Sequence, residues 1–401
     1  MIDIAEDSRK KVENALLVGI KHPDNAPGEI AEHLDELAEL VRNLGITPVE
    51  KMVVPLHQIN VQYYVGSGKA EEISVRAHEL EVDCIIFDDS LSPSQQRNFE
   101  RMAKLCVIDR EEVILDIFGE RASTREAVLQ VELARTQYSL PRLTRAWTHL
   151  SRQRGGGATN RGEGETQIEN DRRMLKRRIQ LLQQELESIR KQRDTQRKLR
   201  KRQQVPHGAI VGYTNVGKSS LLRALSGADI LVQDKLFATL DPTTRKIELD
   251  NHAEMILTDT VGFVRKLPHN LVESFKSTLE EAVLADFLVL VLDIASPQLE
   301  SHWETTLSVL KELGADEKNM TIVFNKVDKI DMAESGILLA RLHGLFPGAF
   351  YISTYTGEGM DQLKAHLSRI AAERSSLIKA VIPPDKYQLI ALAHQHGQIF
   401  E

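Results

Sequence analysis

The strongest constraint on the fold is a glycine-rich octapeptide, GYTNVGKS, which follows an apolar strand pattern and enters a helical one. This order places backbone N–H groups and a helix N-terminus around phosphate oxygens, as in P-loop nucleotide-binding domains. Lys218 is expected to neutralise the β- and γ-phosphates, and the Ser219 hydroxyl to bind Mg²⁺. The loop predicts a nucleoside triphosphate site without choosing the base. Its predicted contacts are Gly212, Tyr213, Thr214, Asn215, Val216, Gly217, Lys218 and Ser219.

Three further motifs follow in order, each at the end of a predicted strand, where open parallel sheets bind ligands. Asp259 can hold Mg²⁺ through water, Gly262 offers an N–H to the γ-phosphate, and Asp328 can accept from two guanine donors that adenine lacks. Losing such bonds costs about 1–3 kcal/mol each, which favours guanine. The weakest motif, 353–355, is expected to offer a backbone N–H to the guanine carbonyl. The predicted contacts here are Asp259, Thr260, Val261, Gly262, Asn325, Lys326, Val327, Asp328, Ser353, Thr354 and Tyr355.

Length and composition are those of an ordinary globular protein with room for two or three domains. The chain has 401 residues, 42% of them hydrophobic and 27% charged. It shows no signal peptide and no run of ~18 apolar residues, so stable membrane insertion is not expected and the cytoplasm is the predicted location. Cys84 and Cys106 lack metal or redox spacing and are interpreted as small core thiols.

The N-terminal part alternates strand and helix patterns, which is typical of a parallel-sheet α/β domain. Helices are predicted at 29–43, 69–80 and 92–104, with a longer stretch at 111–138 that Gly119 could interrupt. The predicted strands are 15–20, 48–54, 83–87 and 105–108. A second lysine-containing glycine turn, at 66–69, is interpreted as a helix entry because no Ser or Thr follows Lys69.

The segment 171–203 is strongly basic on an otherwise acidic chain. It holds thirteen Lys and Arg against four acids, a local charge of +9 within a net charge of −7. This contrast favours a localised polyanion contact. Leucine and isoleucine recur at 175, 179, 182, 186 and 189, the seam of a short coiled coil, with a partner expected at 123–138 or 143–150. A helix pair with a solvated face is the plainer alternative.

Between this helix and the N-terminal domain, residues 152–167 (RQRGGGATNRGEGETQ) are too polar and glycine-rich to pack. A flexible linker is the plain interpretation. The domain boundaries expected from these patterns are 1–138 for the N-terminal domain, 139–204 for the loop and basic helical subdomain, 205–374 for the P-loop domain, and 375–401 for a C-terminal segment, which is expected to be incomplete.

Several stretches beyond the nucleotide motifs resemble the HflX family of translational GTPases. They are 109–110, 114–118, 121–122, 126–134 (EAVLQVELA), 138, 140–143, 161–173 (RGEGETQIENDRR) and 236–245 (LFATLDPTTR). The resemblance implies binding of the large (50S) ribosomal subunit and its rRNA, and separation of stalled or stress-inactivated ribosomes. Glu163 stands where the family usually has proline, and Thr354 where guanine pockets usually carry alanine.

By family position, Thr239 is the switch-I Mg²⁺ ligand within the contacts Phe237, Ala238, Thr239, Leu240 and Asp241, although Thr243 and Thr244 are chemically equal rivals. The resemblance also turns the basic residues into expected rRNA-phosphate contacts, with a steep salt dependence. Those contacts are Arg152, Arg154, Arg161, Arg172, Arg173 and Lys176.

Hydrolysis is expected to depend on Lys218, Thr239, Gly262 and Asn215. Phe263 follows Gly262 where many GTPases have a water-orienting glutamine, so slow intrinsic hydrolysis with stimulation by a partner is predicted. Asn215 suggests K⁺ as a second cofactor. A monomer is expected, because the seam is short. A nucleotide-regulated RNA-binding switch, an ATP-dependent RNA-remodelling enzyme and a regulator of another protein stay open as alternatives.

Overall fold

The computed structural model describes most of the chain. The predicted contacts Arg152, Arg154 and Ala238, and nearly all of the predicted segment 375–401, lie outside the described residues. Side chains at 161–168, 193–201, 276–279 and 373 lie outside them as well, so Arg161 is placed by its backbone alone. The described residues are 12–56, 58–143, 161–201, 205–227, 236–237, 239–249, 254–266, 276–330 and 336–373, with 383, 386 and 388–390.

Four parallel strands form the N-terminal sheet, in the order β2-β1-β3-β4. The apolar side chains of the two inner strands are buried on both faces, whereas the edge strand β2 alternates between exposed and partly buried positions. Cys84 and Cys106 are in register on adjacent strands and are not joined by a disulfide; Cys84 is buried, as expected for a core thiol, whereas Cys106 is partly buried. The strands are β1 (Asn14–Lys21), β2 (Thr47–Pro55), β3 (Cys84–Phe87) and β4 (Cys106–Asp109).

Five helices cover this sheet on both faces, with α1, α4 and α5 on one side and α2 and α3 on the other. Side-chain caps begin α3 and α4: Ser92 and Gln95 form a capping box on α3, and the Asp109 carboxylate accepts the Glu112 N–H at 3.1 Å at the start of α4. The helices are α1 (Glu29–Asn43), α2 (Ser67–Glu79), α3 (Pro93–Ala103), α4 (Arg110–Arg121) and α5 (Arg125–Ser139).

The predicted stretch 111–138 does divide into two helices, but not at Gly119. The break lies at 122–124, where Thr124 caps α5 through its hydroxyl, which accepts the Ala127 N–H at 3.2 Å. Gly119 stays within α4, where it lies against the end of the Arg135 side chain: a Cβ there would lie 2.4 Å from Nη2 of Arg135. The glycine therefore serves helix packing and not chain reversal.

A single long helix, α6 (Arg161–Lys201), links the two sheets in the chain and packs on α5. Leu182 is fully buried against Leu129 and Leu133, with Ile179, Leu186 and Ile189 around them. Arg178 adds a bidentate contact to Glu132, with Nε–Oε1 and Nη2–Oε2 distances of 2.7 and 2.8 Å. The predicted seam thus pairs with the 123–138 region, and the 143–150 alternative lies mostly outside the described residues.

One boundary prediction is wrong. The glycine-rich linker was expected to run to Gln167, but the helix begins at Arg161 and includes the sequence GEGETQ. Glycine in a helix costs about 1 kcal/mol relative to alanine, which lowers helix propensity without forbidding it. Glu163 and Glu165 lie in the first turns, where acidic side chains favour the helix dipole. Continuation into the packed part of α6 outweighs the two glycines.

The second sheet has six strands in the order β10-β9-β8-β5-β7-β6, parallel except for the edge strand β6. Its first strand in sequence, β5, lies near the centre, so the loop that follows β5 opens at the carboxyl edge beside β7 and β8. The strands are β5 (His207–Gly212), β6 (Thr243–Glu248), β7 (Glu254–Asp259), β8 (Phe287–Asp293), β9 (Met320–Asn325) and β10 (Phe350–Tyr351).

Helices on this second sheet complete an α/β fold with a P-loop domain, as predicted. They are α7 (Lys218–Ser226), α8 (Lys276–Leu284), α9 (Leu299–Glu312), α10 (Gly336–Leu345) and α11 (Met360–Glu373). The two halves share one hydrophobic cluster, in which Phe118 of α4 meets Phe237 of the second half. Across the described residues, no helix is long and apolar enough to cross a membrane.

Candidate nucleotide-binding site

A cavity of about 410 Å³ opens at the carboxyl edge of the six-stranded sheet. Its lining includes residues from all four predicted nucleotide motifs, although these residues lie up to 141 positions apart. Its lining consists of Thr214, Asn215, Gly217, Lys218, Ser219, Ser220, Phe237, Thr239, Thr260, Gly262, Asn325, Lys326, Asp328, Lys329, Thr354 and Tyr355.

The glycine-rich loop needs its glycines for two separate reasons. Gly212 and Gly217 have φ angles of 148° and 96°, which residues with a side chain rarely adopt. They also lie against other chain segments: a Cβ on Gly212 would come within 2.3 Å of the Val291 carbonyl oxygen, and one on Gly217 within 2.3 Å of Nδ2 of Asn325. The loop can therefore approach a phosphate chain without obstruction by its own side chains.

Lys218 is a buried cation in the lining of the cavity. Its Nζ donates to the Tyr213 carbonyl oxygen at 2.7 Å, and its side chain is buried. Burial lowers the pKa of Lys218 to about 8, while the negative charge of Asp259 works in the opposite direction. A buried ammonium group with few partners favours binding of an anion beside it.

Three oxygen-bearing side chains converge next to this lysine. The Ser219 hydroxyl donates to Oδ2 of Asp259 at 2.6 Å, the Thr239 hydroxyl donates to the same oxygen at 2.9 Å, and the two hydroxyl oxygens are 2.8 Å apart. Burial raises the pKa of Asp259, opposed by Lys218 and the two hydroxyls. Its Oδ1 is buried and has no hydrogen-bond partner among the described residues. This donor set, with one unsatisfied oxygen, suits a hard cation and its waters.

The rival threonines stand elsewhere. Thr243 and Thr244 are part of β6, and the Thr244 hydroxyl lies 3.0 Å from that of Thr258 inside the sheet. Thr239 is the one of the three in contact with Ser219 and Asp259.

The opposite end of the cavity is built from the two C-terminal motifs. Asn325 donates to the Val216 carbonyl at 2.9 Å and accepts the Thr354 N–H at 3.1 Å, so it ties the phosphate loop to the 353–355 loop. The Ser353 hydroxyl donates to Oδ1 of Asp328 at 2.5 Å. These bonds fix the Asp328 carboxylate at the rim, where a planar base with two donors can meet it.

The loop after β7 is tied to the glycine-rich loop through its backbone. Thr214 N–H donates to the Phe263 carbonyl at 2.8 Å, and Phe263 N–H donates to the Gly212 carbonyl at 3.1 Å. A Cβ on Gly262 would lie 2.6 Å from Cα of Thr214. The Phe263 ring is 1% exposed and does not line the cavity, so no side chain at that position faces an attacking water.

Some predicted contacts have side chains that turn away from the cavity. Tyr213 stacks on His302 at 3.8 Å between ring centroids and donates to Oε1 of Glu36 at 2.8 Å. The Asp241 carboxylate contacts Ser123 and Thr124 of the N-terminal half. The predicted contacts without a place in the lining are Gly212, Tyr213, Val216, Leu240, Asp241, Asp259, Val261, Val327 and Ser353.

Two lining residues, Ser220 and Lys329, are absent from the predicted contacts. Each immediately follows a predicted contact, so extending both motifs by one position would have found them. Of the predicted RNA contacts on α6, Arg173 and Lys176 are exposed, and Nη1 of Arg172 lies 3.9 Å from Glu169. None of these three is near the cavity lining.

Three family models match the chain in sequence order. The model described as GTP-binding GTPase N-terminal matches residues 31–119, and the GTP-binding GTPase middle region matches residues 121–200. The model described as 50S ribosome-binding GTPase matches residues 207–326. Together they cover β2 to β9 and almost all of α6, so the similarity is not confined to the nucleotide motifs.

Individual relatives extend the match over the full length. The GTPase HflX of Akkermansia muciniphila is 50% identical over 408 aligned positions, covering 100% of this chain and 93% of that protein. The GTPase HflX of Treponema denticola is 49% identical, covering 84% of this chain and 87% of that protein. A crystal structure of a GTP-binding protein from Sulfolobus solfataricus in complex with GDP is 26% identical, covers 91% of this chain and all of that one, and has a TM-score of 0.46.

The sequence relatives, and not the superposition, carry the assignment, since their identity is high and extends along almost all of both chains. They agree with the motif order and with the α/β architecture described above. This chain is therefore a GTPase that belongs to the HflX family.

Proposed function

We propose that this GTPase binds the large ribosomal subunit in its GTP-bound state and separates stalled or inactive ribosomes, and that the ribosome stimulates its GTP hydrolysis. The observation that carries the proposal is the match of residues 207–326 to the family model described as 50S ribosome-binding GTPase. The basic helix α6 gives it a physical basis, because the local charge of +9 at 171–203 is suited to a polyphosphate backbone.

The convergence of Ser219, Thr239 and Asp259 fits a Mg²⁺ site, since within the described part of the chain the buried Asp259 Oδ1 has no hydrogen-bond partner. Ser219 and Thr239 would bind the ion directly and Asp259 through water. Mg²⁺ bound there would neutralise charge on the β- and γ-phosphates. Lys218 would bind the same phosphates, and the Gly262 N–H would sense the γ-phosphate. Asp328 would select guanine at the opposite end of the cavity.

Slow hydrolysis by the free protein follows from Phe263. The ring is buried, so the side chain that orients the attacking water in many GTPases has no counterpart at this position. A bound ribosome would order the loops around the attacking water. Asn215, which lines the cavity beside Lys218, would recruit K⁺ as an additional cation.

We place the RNA contacts on α6 and on the basic residues before it, with the protein working as a monomer in the cytoplasm. The α6 seam is covered by α5 of the same chain, which leaves its basic side chains and not its apolar stripe for a partner. Arg173 and Lys176 are exposed on this helix. Each phosphate contact would release condensed counterions, so binding would weaken steeply with salt.

Sedimentation with purified large ribosomal subunits tests the proposal directly. With a non-hydrolysable GTP analogue the chain is expected to move with the large subunit, and with GDP it is expected to stay near the top of the gradient. Single-turnover hydrolysis should accelerate when subunits are added. A free-protein rate that ribosomes leave unchanged, together with no co-sedimentation, would contradict the proposal and favour an RNA-binding role elsewhere.

Neutral substitutions on α6 test the RNA contacts. The triple change Arg172→Gln, Arg173→Gln and Lys176→Gln should weaken subunit binding at every salt concentration and reduce the slope of log affinity against log salt by up to about 3. A matched control removes three exposed charges away from α6, at Lys69, Lys311 and Arg341. Equal slopes for the two triple variants would exclude α6 as the contact.

A further inference from the structure

The segment around Thr239 is attached to the N-terminal helices on one side by an aromatic contact. The Phe237 ring meets the Phe118 ring of α4 edge to face, with centroids 4.7 Å apart and planes at 87°. Phe237 is 1% exposed and has a φ angle of 55°, a conformation that is costly for a large side chain. The Phe237 N–H also donates to the Thr214 hydroxyl at 3.0 Å. Packing in the shared core therefore holds a strained backbone in place.

On the other side, the same segment is attached by hydrogen bonds to a carboxylate. The Asp241 carboxylate accepts from the Ser123 N–H at 3.2 Å, the Ser123 hydroxyl at 2.6 Å and the Thr124 N–H at 3.1 Å, and it also contacts the Thr124 hydroxyl. Ser123 and Thr124 form the turn between α4 and α5, and Thr124 is the N-cap of α5. A carboxylate here satisfies N–H groups at the start of a helix and complements its dipole.

Thr239 lies between these two attachments, two positions from each. Its hydroxyl is in contact with Ser219 and Asp259, the other members of the proposed Mg²⁺ site. The conformation that brings Thr239 to the metal site is thus the same one in which Phe237 reaches α4 and Asp241 reaches the start of α5.

We propose that Phe237 and Asp241 are positioning residues, through which the N-terminal helices hold Thr239 at the metal site and so favour GTP over GDP. The coupling is reciprocal. A nucleotide that draws Thr239 towards the metal fastens Asp241 to α5, and α5 in turn packs on the basic helix α6. GTP state and α6 are linked through this contact, which rests on the proposed role of Thr239 as a metal ligand.

The variant Asp241→Ala tests the link in the free protein. It should weaken binding of a non-hydrolysable GTP analogue with Mg²⁺ by roughly five- to twentyfold, within the range of ordinary coupling between sites, while changing the GDP affinity by less than about twofold. Asp241→Asn retains an acceptor oxygen, so its affinity for the GTP analogue should lie between those of Asp241→Ala and the parent protein. Asp316→Ala is the matched control, because it removes an exposed carboxylate of the same domain away from the cavity.

Hydrogen exchange supplies a readout that a merely structural role would not move. In the parent protein, the amides of Ser123 and Thr124 should be better protected with the GTP analogue than with GDP. In Asp241→Ala this difference should disappear. Ser123→Ala, changed from the opposite side, should lower the analogue affinity less, and the double variant should show less than the sum of the two effects in free energy.

Thr239→Ala separates failure of this inference from failure of the proposed metal site. If Thr239→Ala loses the preference for the GTP analogue and Asp241→Ala keeps it, the metal site stands and the positioning role is wrong. If neither variant loses the preference, the role of Thr239 is wrong too. A similar loss of GDP and analogue affinity in Asp241→Ala would likewise overturn the inference.

Discussion

In both sheets the parallel strands end at one edge, but the side chains at the two edges differ: they pair with each other at the first sheet and line a cavity at the second. At the N-terminal sheet, the residues after β3 and β4 close the edge: Arg110 donates to Asp88 at 2.7 Å and to Glu36 at 2.6 Å, all three nearly fully buried. At the second sheet, the corresponding edge is open as a cavity of about 410 Å³. The sheet alone does not make a binding site; the loop chemistry at its edge decides.

The closed edge still contributes to the open one. Glu36 accepts from the Tyr213 hydroxyl at 2.8 Å and from Nε of Arg265 at 3.0 Å, so it contacts the glycine-rich loop and the loop after Gly262 at once. Lys266 extends the contact by reaching Asp88 at 2.6 Å. At the N-terminal sheet, the charged side chains pair with each other and with the loops of the second half. At the second sheet, Lys218 and one oxygen of Asp259 have few partners among the described residues, so they can contact a ligand.

Removal of Arg110 should produce the largest effect on stability. Arg110→Met leaves the buried Glu36 and Asp88 carboxylates with Arg265 and Lys266 as their remaining cations, and the free energy of unfolding should fall by up to about 3–5 kcal/mol. Urea unfolding followed by circular dichroism measures it. Arg341→Met, which removes an exposed ion pair with Glu300, should cost less than about 1 kcal/mol. Equal losses for the two variants would mean that the closed edge is not a stabilising network.

At the open edge, a substitution should instead change which nucleotide base is bound. Asp328→Asn should weaken GDP binding by about 2–4 kcal/mol, or roughly 30- to 700-fold, because two hydrogen bonds to guanine are lost. Xanthosine diphosphate, whose base carries a carbonyl in place of the amine, should gain affinity. Isothermal titration with both nucleotides and with ADP measures this. Strong ADP binding by the parent protein would reject guanine selection.

The buried lysine predicts a smaller, pH-dependent effect. In the free protein Lys218 loses its proton as pH rises through about 8, and only the charged form suits the phosphates. The GDP affinity should therefore be constant below that pH and fall above it by at most tenfold per unit, with uptake of one proton on binding. Titrations at pH 7 to 9.5 in buffers of different ionisation enthalpy check both. Affinity that rises above pH 8 would contradict the assignment.

The smallest expected effect concerns the monovalent cation. Because Asn215 lines the cavity, hydrolysis is predicted to be faster in K⁺ than in Na⁺ at equal ionic strength, by about tenfold or less. Phosphate release in the two salts measures the ratio. Asn215→Ala should remove the difference while leaving GDP affinity nearly unchanged. Equal rates in both salts would remove K⁺ from the mechanism.

Prediction and structure agree best where the chemistry is local. A strand, a glycine-rich turn and a helix start are encoded within a few residues, so the cavity gathered most predicted contacts, including Lys218, Thr239 and Asp328. Helix α1 was predicted with its observed bounds, Glu29–Asn43. Prediction and structure agree least where neighbours decide, as at Gly119 and at the start of α6, because a glycine that permits close packing looks like a glycine that breaks a helix.

Residue patterns alone predicted the family, the two α/β halves and most of the residues that line the cavity, since motif spacing and apolar periodicity are properties of short segments. Only the tertiary structure decided that Glu36 meets Arg265 across 229 positions and that Asp241 meets Ser123 across 118. Those pairings depend on how two sheets dock, and no local pattern carries that information. For this reason, the coupling between the cavity and the N-terminal helices became visible in three dimensions alone.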